Sequence, residues 1–220
     1  MTKKRVGVLI SGRGSNLGAL IDACRSPDYP AKIVLVISNV PSAQGLLRAE
    51  AGLVPTRTIN HKDFLSREAF DEALDATLNE AGVELLCNAG FMRLHTESFV
   101  QRWWNRHLNI HPSLLPAFKG LHTHERVLEE GVKITGCTVH FVRPEMDSGP
   151  IVAQAAVPVL PNDTPDDLAA RVLEAEHQLY PHALELVASG EVRVEGERVV
   201  GLTQVREQKP LISPSRNEVF

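Results

Sequence analysis

Across its first half, the chain alternates short continuous apolar runs with segments of helical periodicity, and few folds accommodate that rhythm. The runs are Val6 to Ser11, Ile33 to Ser38 and the core of Glu84 to Ala89; Val54 to Thr58 reads as a further strand, and His107 to Ile110 as a short fifth. An apolar run without alternation suits a strand covered on both faces. Between the runs, Ser15 to Cys24 places Leu17, Leu20, Ile21 and Cys24 at helical spacing, and Ala43 to Ala51 reads as a second helix. From Ser66 onward, Phe70, Ala73, Leu74, Thr77 and Leu78 line one side of a longer helix. Strands separated by helices pair in parallel through right-handed crossovers. The expected fold class is therefore α/β, a doubly wound and mostly parallel sheet with ligands gathered at the carboxyl ends of its strands.

The pattern changes after Pro112. Gly136 to Val142 and Ile151 to Val159 are β-rich around a short loop, which predicts an antiparallel extension of the sheet toward the C-terminus. Asp163 to Ser189 reads as a long final helix, with Asn162 or Thr164 near its cap and Pro165 in its first turn. Val192 to Val200, centred on Glu195-Gly196, predicts a hairpin, and residues 203–220 lack periodicity and read as a peripheral tail. The formal charge of −4 argues against a nucleic-acid platform, which carries a basic excess. No apolar run is long enough for a membrane span or a signal-peptide core. The three cysteines form no CxxC pair and suit a reducing compartment, so a cytoplasmic location is expected.

Two stretches carry chemistry. Ser11-Gly12-Arg13-Gly14-Ser15-Asn16 joins the first strand to the first helix. Its glycines permit close backbone approach, and free N–H groups at a helix start attract phosphate. The third glycine of a dinucleotide fingerprint would fall at Leu17, and the second strand ends in Ser38-Asn39 without an acidic residue for a ribose. A single phosphate suits the loop better than a dinucleotide; an unliganded tight turn is the alternative. The second stretch is His107 to Pro116. Asn109 and His111 project from one face of an extended strand while Leu108 and Ile110 project from the other. Pro112 ends the strand, placing His111 at the carboxyl edge where ligands bind. Asp147-Ser148-Gly149-Pro150 forms a turn between the two later β-runs, and Asp147 either closes that turn or reaches His111 to orient and charge it. Same-face histidines at His107, His111, His122 and His124 raise the alternative of a metal site, but zinc needs three or four converging ligands.

Taken in order, Ser11 to Asn16, Ser66-Arg67-Glu68, Ala89 to Arg93, Leu108 to Pro116, Gly120 to His124, His140 to Val142 with Asp147 to Pro150, and Glu176-His177 resemble the glycinamide ribonucleotide formyltransferases over about residues 5–202. The resemblance implies a Rossmann-like formyltransferase domain over 1–202, with a nucleotide-phosphate half at 1–112 and a folate-site half at 113–202. It implies an Asn109, His111 and Asp147 catalytic trio. It also implies that Gly14, Ser15, Asn16 and Glu176 hold phosphoribosylglycinamide. Arg67, Met92, Arg93, Leu94, His95, Asn109, Arg143, Pro144, Glu145, Met146 and Asp147 would line the folate site. His95 stands where the family carries an aliphatic residue, and Arg143-Pro144 where it carries acidic or small ones. The implied reaction uses 10-formyltetrahydrofolate as formyl donor, with no metal, small-molecule partners only, no nucleic acid or membrane, and a monomer or homodimer. A tRNA formyltransferase would be expected to add a C-terminal domain, and a formyltetrahydrofolate hydrolase an N-terminal one. A phosphosugar-binding module without catalysis would not need the trio at all.

Overall fold

The computed structural model describes residues 2–201 and 210–214. Its order is β1 (Lys4–Ile10), α1 (Ser15–Cys24), β2 (Ala31–Ser38), α2 (Gln44–Ala51), β3 (Thr56–Thr58), α3 (Arg67–Glu80), β4 (Leu85–Asn88), α4 (Glu97–Arg102), β5 (His107–His111), α5 (Thr123–Glu129), β6 (Ile134–Phe141), β7 (Ile151–Pro158), α6 (Pro165–Ser189), β8 (Arg193–Glu195) and β9 (Arg198–Val200). Seven strands form one sheet in the order β3-β2-β1-β4-β5-β6-β7, and β8-β9 form a separate hairpin. β1 to β5 run parallel, whereas β6 and β7 pair antiparallel at one end. The doubly wound sheet and its antiparallel extension thus appear as the alternation predicts. The tail reading at 203–220 lies outside the described residues apart from 210–214.

The pleat of β1 sends Val6, Val8 and Ile10 into a core shared with α1 and α6, while Leu9 enters a second core on the other face. That second core is built on Phe70, Leu74 and Leu78 of α3 with Phe99 and Trp103. Each such fully buried side chain contributes about 1.5–3 kcal/mol. Ser66 starts α3 by accepting the Ala69 N–H at 3.1 Å. Thr164 caps α6 in a reciprocal capping box with Asp167, which settles the cap on Thr164 and leaves Asp163 outside the helix, paired with Arg171 at 2.7 Å. The short α4 and α5 have too few turns for a periodic apolar stripe and were not expected from the sequence. Among the described residues no helix is long and apolar enough to cross a membrane.

The sheet reverses its winding between β1 and β4, which are direct neighbours. At such a switch point the loops leaving adjacent strands diverge and open a crevice at their carboxyl ends. The loops after β1 and β4, and the end of β5, therefore share one edge of the molecule.

Candidate active site

On β5, Leu108 and Ile110 enter the α1–α6 core, which turns Asn109 and His111 to the opposite face. β6 pairs antiparallel with β5 and sets His140 directly opposite Asn109, so their side chains share that face. The His140 Nδ1–H donates to the Phe141 carbonyl at 3.0 Å, leaving Nε2 to accept an N–H from the Asn109 amide at 3.2 Å. Burial, the largest influence, holds His140 below the ordinary histidine range despite the opposing Phe141 carbonyl and Asp147 carboxylate. A neutral ring is what the Asn109 contact requires.

The loop after β6 returns Asp147 to the same place. Its backbone is left-handed, with φ 51°. One carboxylate oxygen lies 3.4 Å from His111 Nδ1 and accepts the Gly120 N–H at 2.9 Å; the other lies 3.8 Å from His140 Nε2. His111 Nε2–H donates to the Phe118 carbonyl at 2.9 Å. Both His111 nitrogens thus face oxygens that can only accept, a setting that the doubly protonated ring satisfies. The segment beyond His111 is fixed by Thr138, whose hydroxyl donates to the Ser113 carbonyl at 2.7 Å and accepts the Leu115 N–H at 3.0 Å. A small cleft of about 70 Å³ lined by Leu115, Pro116, Lys119, Asp147 and Ile151 opens beside the carboxylate.

The glycine loop lies at the start of α1. Gly14 takes φ 69°, and a Cβ there would stand 2.6 Å from the Gly45 Cα, so neither conformation nor space admits a side chain. α2 braces the loop: the Gly45 N–H donates to the Gly12 carbonyl at 3.0 Å and Arg48 to the Arg13 carbonyl at 3.0 Å. Asn16, buried behind the loop, donates to Glu176 of α6 at 2.8 Å, while its own Oδ1 has no protein partner. Burial pushes the Glu176 carboxyl up, partly offset by that hydrogen bond. Gly14, Ser15, Asn16 and Glu176 are thereby gathered in one place.

The residues expected around a donor do not all face it. Met92 and Leu94 are exposed, as are Pro144, Glu145, Met146 and Arg67. Arg93 is half-buried with its guanidinium 5.4 Å from the Phe70 ring centre. The His95 side chain instead turns inward, stacked between Phe91 and Phe99 with centroids 5.1 and 4.4 Å away. Its Nδ1–H donates to Asp71 at 3.2 Å, and Asp71 also accepts the Thr96 N–H at 2.6 Å. Arg143 likewise leaves the cluster: it stacks on Trp104 at 3.8 Å and donates to Asn105 at 2.8 Å and Glu197 at 2.9 Å. A flat slot with an acceptor at its end attracts each side chain inward, so these two positions can present only backbone to the crevice. Sequence reasoning assigned no role to His140, which entered only within the His140 to Val142 stretch; the β5–β6 register is what sets it opposite Asn109. The Phe118 carbonyl and the Gly120 N–H are backbone groups that no residue type announces.

A larger open groove of about 490 Å³ runs between β7 and α6, but it contains none of these residues; convergence of polar groups, not volume, locates the site. The sequence profile of the family described as Formyl transferase matches residues 4–184. The chain is 53% identical to the trifunctional purine biosynthetic protein adenosine-3 of Bos taurus, over 92% of this chain but 20% of that one, so it spans a fifth of that relative. It is 44% identical to the phosphoribosylglycinamide formyltransferase of Haemophilus influenzae, over 87% of this chain and 90% of the relative. It superposes on the crystal structure of glycinamide ribonucleotide transformylase 1 from Symbiobacterium toebii with a TM-score of 0.87 at 49% identity, covering 90% of this chain and 93% of that one.

Proposed function

The chain belongs to the formyl transferase family, and from that premise we propose that it moves a formyl group from 10-formyltetrahydrofolate to the amine of 5'-phosphoribosylglycinamide. The observation that carries the reading is the convergence of Asn109, His111 and Asp147 at the crevice edge, with His111 Nδ1 3.4 Å from Asp147. The exposed Met92, Leu94 and Met146 suit the apolar faces of a flat ring system, and the unpartnered Oδ1 of Asn16 suits a donor on the nucleotide substrate. The glycine loop offers N–H groups at the start of α1 to the phosphate.

The bound donor would supply an activated formyl carbon; the chain supplies orientation, charge stabilisation and proton transfer. His140 fixes the Asn109 amide by accepting one N–H, which leaves the other free for the formyl oxygen as it becomes negative. One such donor is worth roughly 3–4 kcal/mol. His111 is the general acid, and the proton it lends is the one on Nε2, now resting on the Phe118 carbonyl. Asp147 holds the Nδ1 side and supports the charged ring. As the bond to the glycinamide nitrogen forms and the bond to the folate nitrogen breaks, the first nitrogen loses a proton and the second gains one, so His111 ends each turnover recharged. Glu176, which accepts an N–H from Asn16 at 2.8 Å, would hold the glycinamide end of the substrate.

The test is to mix purified protein with both substrates and follow the folate product by absorbance. Release that depends on the nucleotide is expected. Release without it would point to hydrolysis of the donor, and no release by folded protein would overturn the reading.

A further inference from the structure

We infer that Ser11 is a positioning residue that couples the two substrate half-sites, making the nucleotide loop and the donor loop respond to each other. This inference rests on the reading of those loops given above. The nucleotide loop leaves β1 and the donor loop leaves β4, on the two sides of the switch-point crevice, and Ser11 ties them at both backbone and side chain. Its N–H donates to the Gly90 carbonyl at 3.1 Å. Its hydroxyl oxygen accepts the Met92 N–H at 2.8 Å and its hydroxyl proton goes to Asn39 Oδ1 at 2.6 Å.

The Met92 N–H can only donate, so Ser11 must present it a lone pair, and the hydroxyl proton goes to the Asn39 oxygen. Asn39 is 3% exposed, and His61 Nδ1 lies 3.0 Å from its main-chain carbonyl and 3.2 Å from its amide nitrogen. A shift of Ser11 when phosphate seats on the following residues is thereby passed to Met92, the first exposed large side chain of the donor loop. Neither Ser11 nor Asn39 needs to touch a ligand for this to operate. Coupling of this kind is reciprocal: each ligand must tighten the other by the same factor.

The experiment uses glycinamide ribonucleotide and tetrahydrofolate, a pair that cannot react, and measures each dissociation constant alone and with the other ligand saturating. In the wild-type chain each ligand is expected to tighten the other by about fivefold or more, and in Ser11→Ala that ratio falls to within about twofold of unity. Melting temperature should change little, which a general loss of structure would not allow, and the ratio divides out any change in the solitary dissociation constants. Ser11→Thr, which keeps the hydroxyl, should restore the coupling. Should Ser11→Ala melt early, Ser11→Cys keeps the volume with only a weak hydrogen-bonding group and must show the same loss. A wild-type ratio near unity, or full coupling in the alanine or cysteine variant, overturns the inference while leaving the transferase reading intact. Failure of the wild-type chain to bind either ligand overturns that reading and the inference with it.

Discussion

Two histidine–carboxylate pairs lie along one face of the sheet, and burial does not distinguish them. The His95 and Asp71 side chains are 3% and 1% exposed; those of His111 and Asp147 are 7% and 10%. What differs is the setting of the second ring nitrogen and the backbone that carries the acid. His95 Nε2 is buried without a partner, in a ring held between two phenylalanines. His111 Nε2 meets a carbonyl on the turn beside the cleft. Asp71 projects from helix α3 and gives both oxygens to one loop, through His95 and the Thr96 N–H. Asp147 stands in a loop whose neighbours belong to three segments. On the proposed function, the first pair is a clasp and the second a proton device. Residue identity and burial alone would have called them equals.

The comparison can be broken by exchange of effects. Asp147→Asn should lower turnover by about 10²–10⁴-fold, the range for a lost acid–base function, with little change in melting temperature. Asp71→Ala should do the reverse. Removing one partner of a buried pair costs about 3–5 kcal/mol, a loss read as roughly 2–4 °C of melting temperature per kcal/mol for a chain of this size. Its turnover at saturating substrates should stay near wild type. A large loss of turnover in Asp71→Ala, or of melting temperature in Asp147→Asn, would merge the two classes.

Smaller changes sharpen the same contrast. His95→Leu leaves Asp71 with the Thr96 N–H and one unmet acceptor, at about 1–3 kcal/mol, and should not alter the pH profile of turnover. The smallest effects are in the pH dependence of stability. Hydrogen bonds from His95 and Thr96 outweigh burial and hold Asp71 below its ordinary 3.8. Its contribution is therefore complete above that value and is lost as the pH falls through the lowered one, so the melting gap between wild type and Asp71→Asn should narrow below pH 3.8. Glu176 runs the other way. Burial raises it above 4.5, so its folded-state advantage exists below that value and is lost as the pH rises; Glu176→Gln should melt at or above wild type at neutral pH while binding the nucleotide more weakly.

The parts of this molecule that were legible in its sequence are those governed by repetition. The continuous apolar runs of β1, β2 and β4 announce strands buried on both faces, and the alternation of Leu108, Asn109, Ile110 and His111 announces which face of β5 would be polar. The contact between His111 and Asp147 was raised as one of two readings of the turn, because only the antiparallel pairing of β5 with β6 brings such distant residues together. The family resemblance named the trio where spacing could not. Side-chain direction in irregular segments was not legible. His95 and Arg143 both lie in loops, where no period dictates orientation, and each is drawn inward by aromatic surface, His95 by Phe91 and Phe99 on either side of it in the chain and Arg143 by the distant Trp104. Ser11 was read only as the first residue of the glycine loop, with no role for its hydroxyl, and nothing in that motif shows that its partner would be an amide of the loop after β4.

The left-handed backbone at Asp147 bears on how its chemistry is to be apportioned. An aspartate tolerates φ near 51° far better than an alanine does, because its short polar chain can bond locally. Alanine at this position would add a conformational penalty of roughly 1–2 kcal/mol to the loss of charge. A routine alanine scan would thus credit the carboxylate with damage done by the turn itself. Asparagine keeps the shape and removes only the charge, so at this one site the informative substitution is set by the main chain before any question about catalysis is asked.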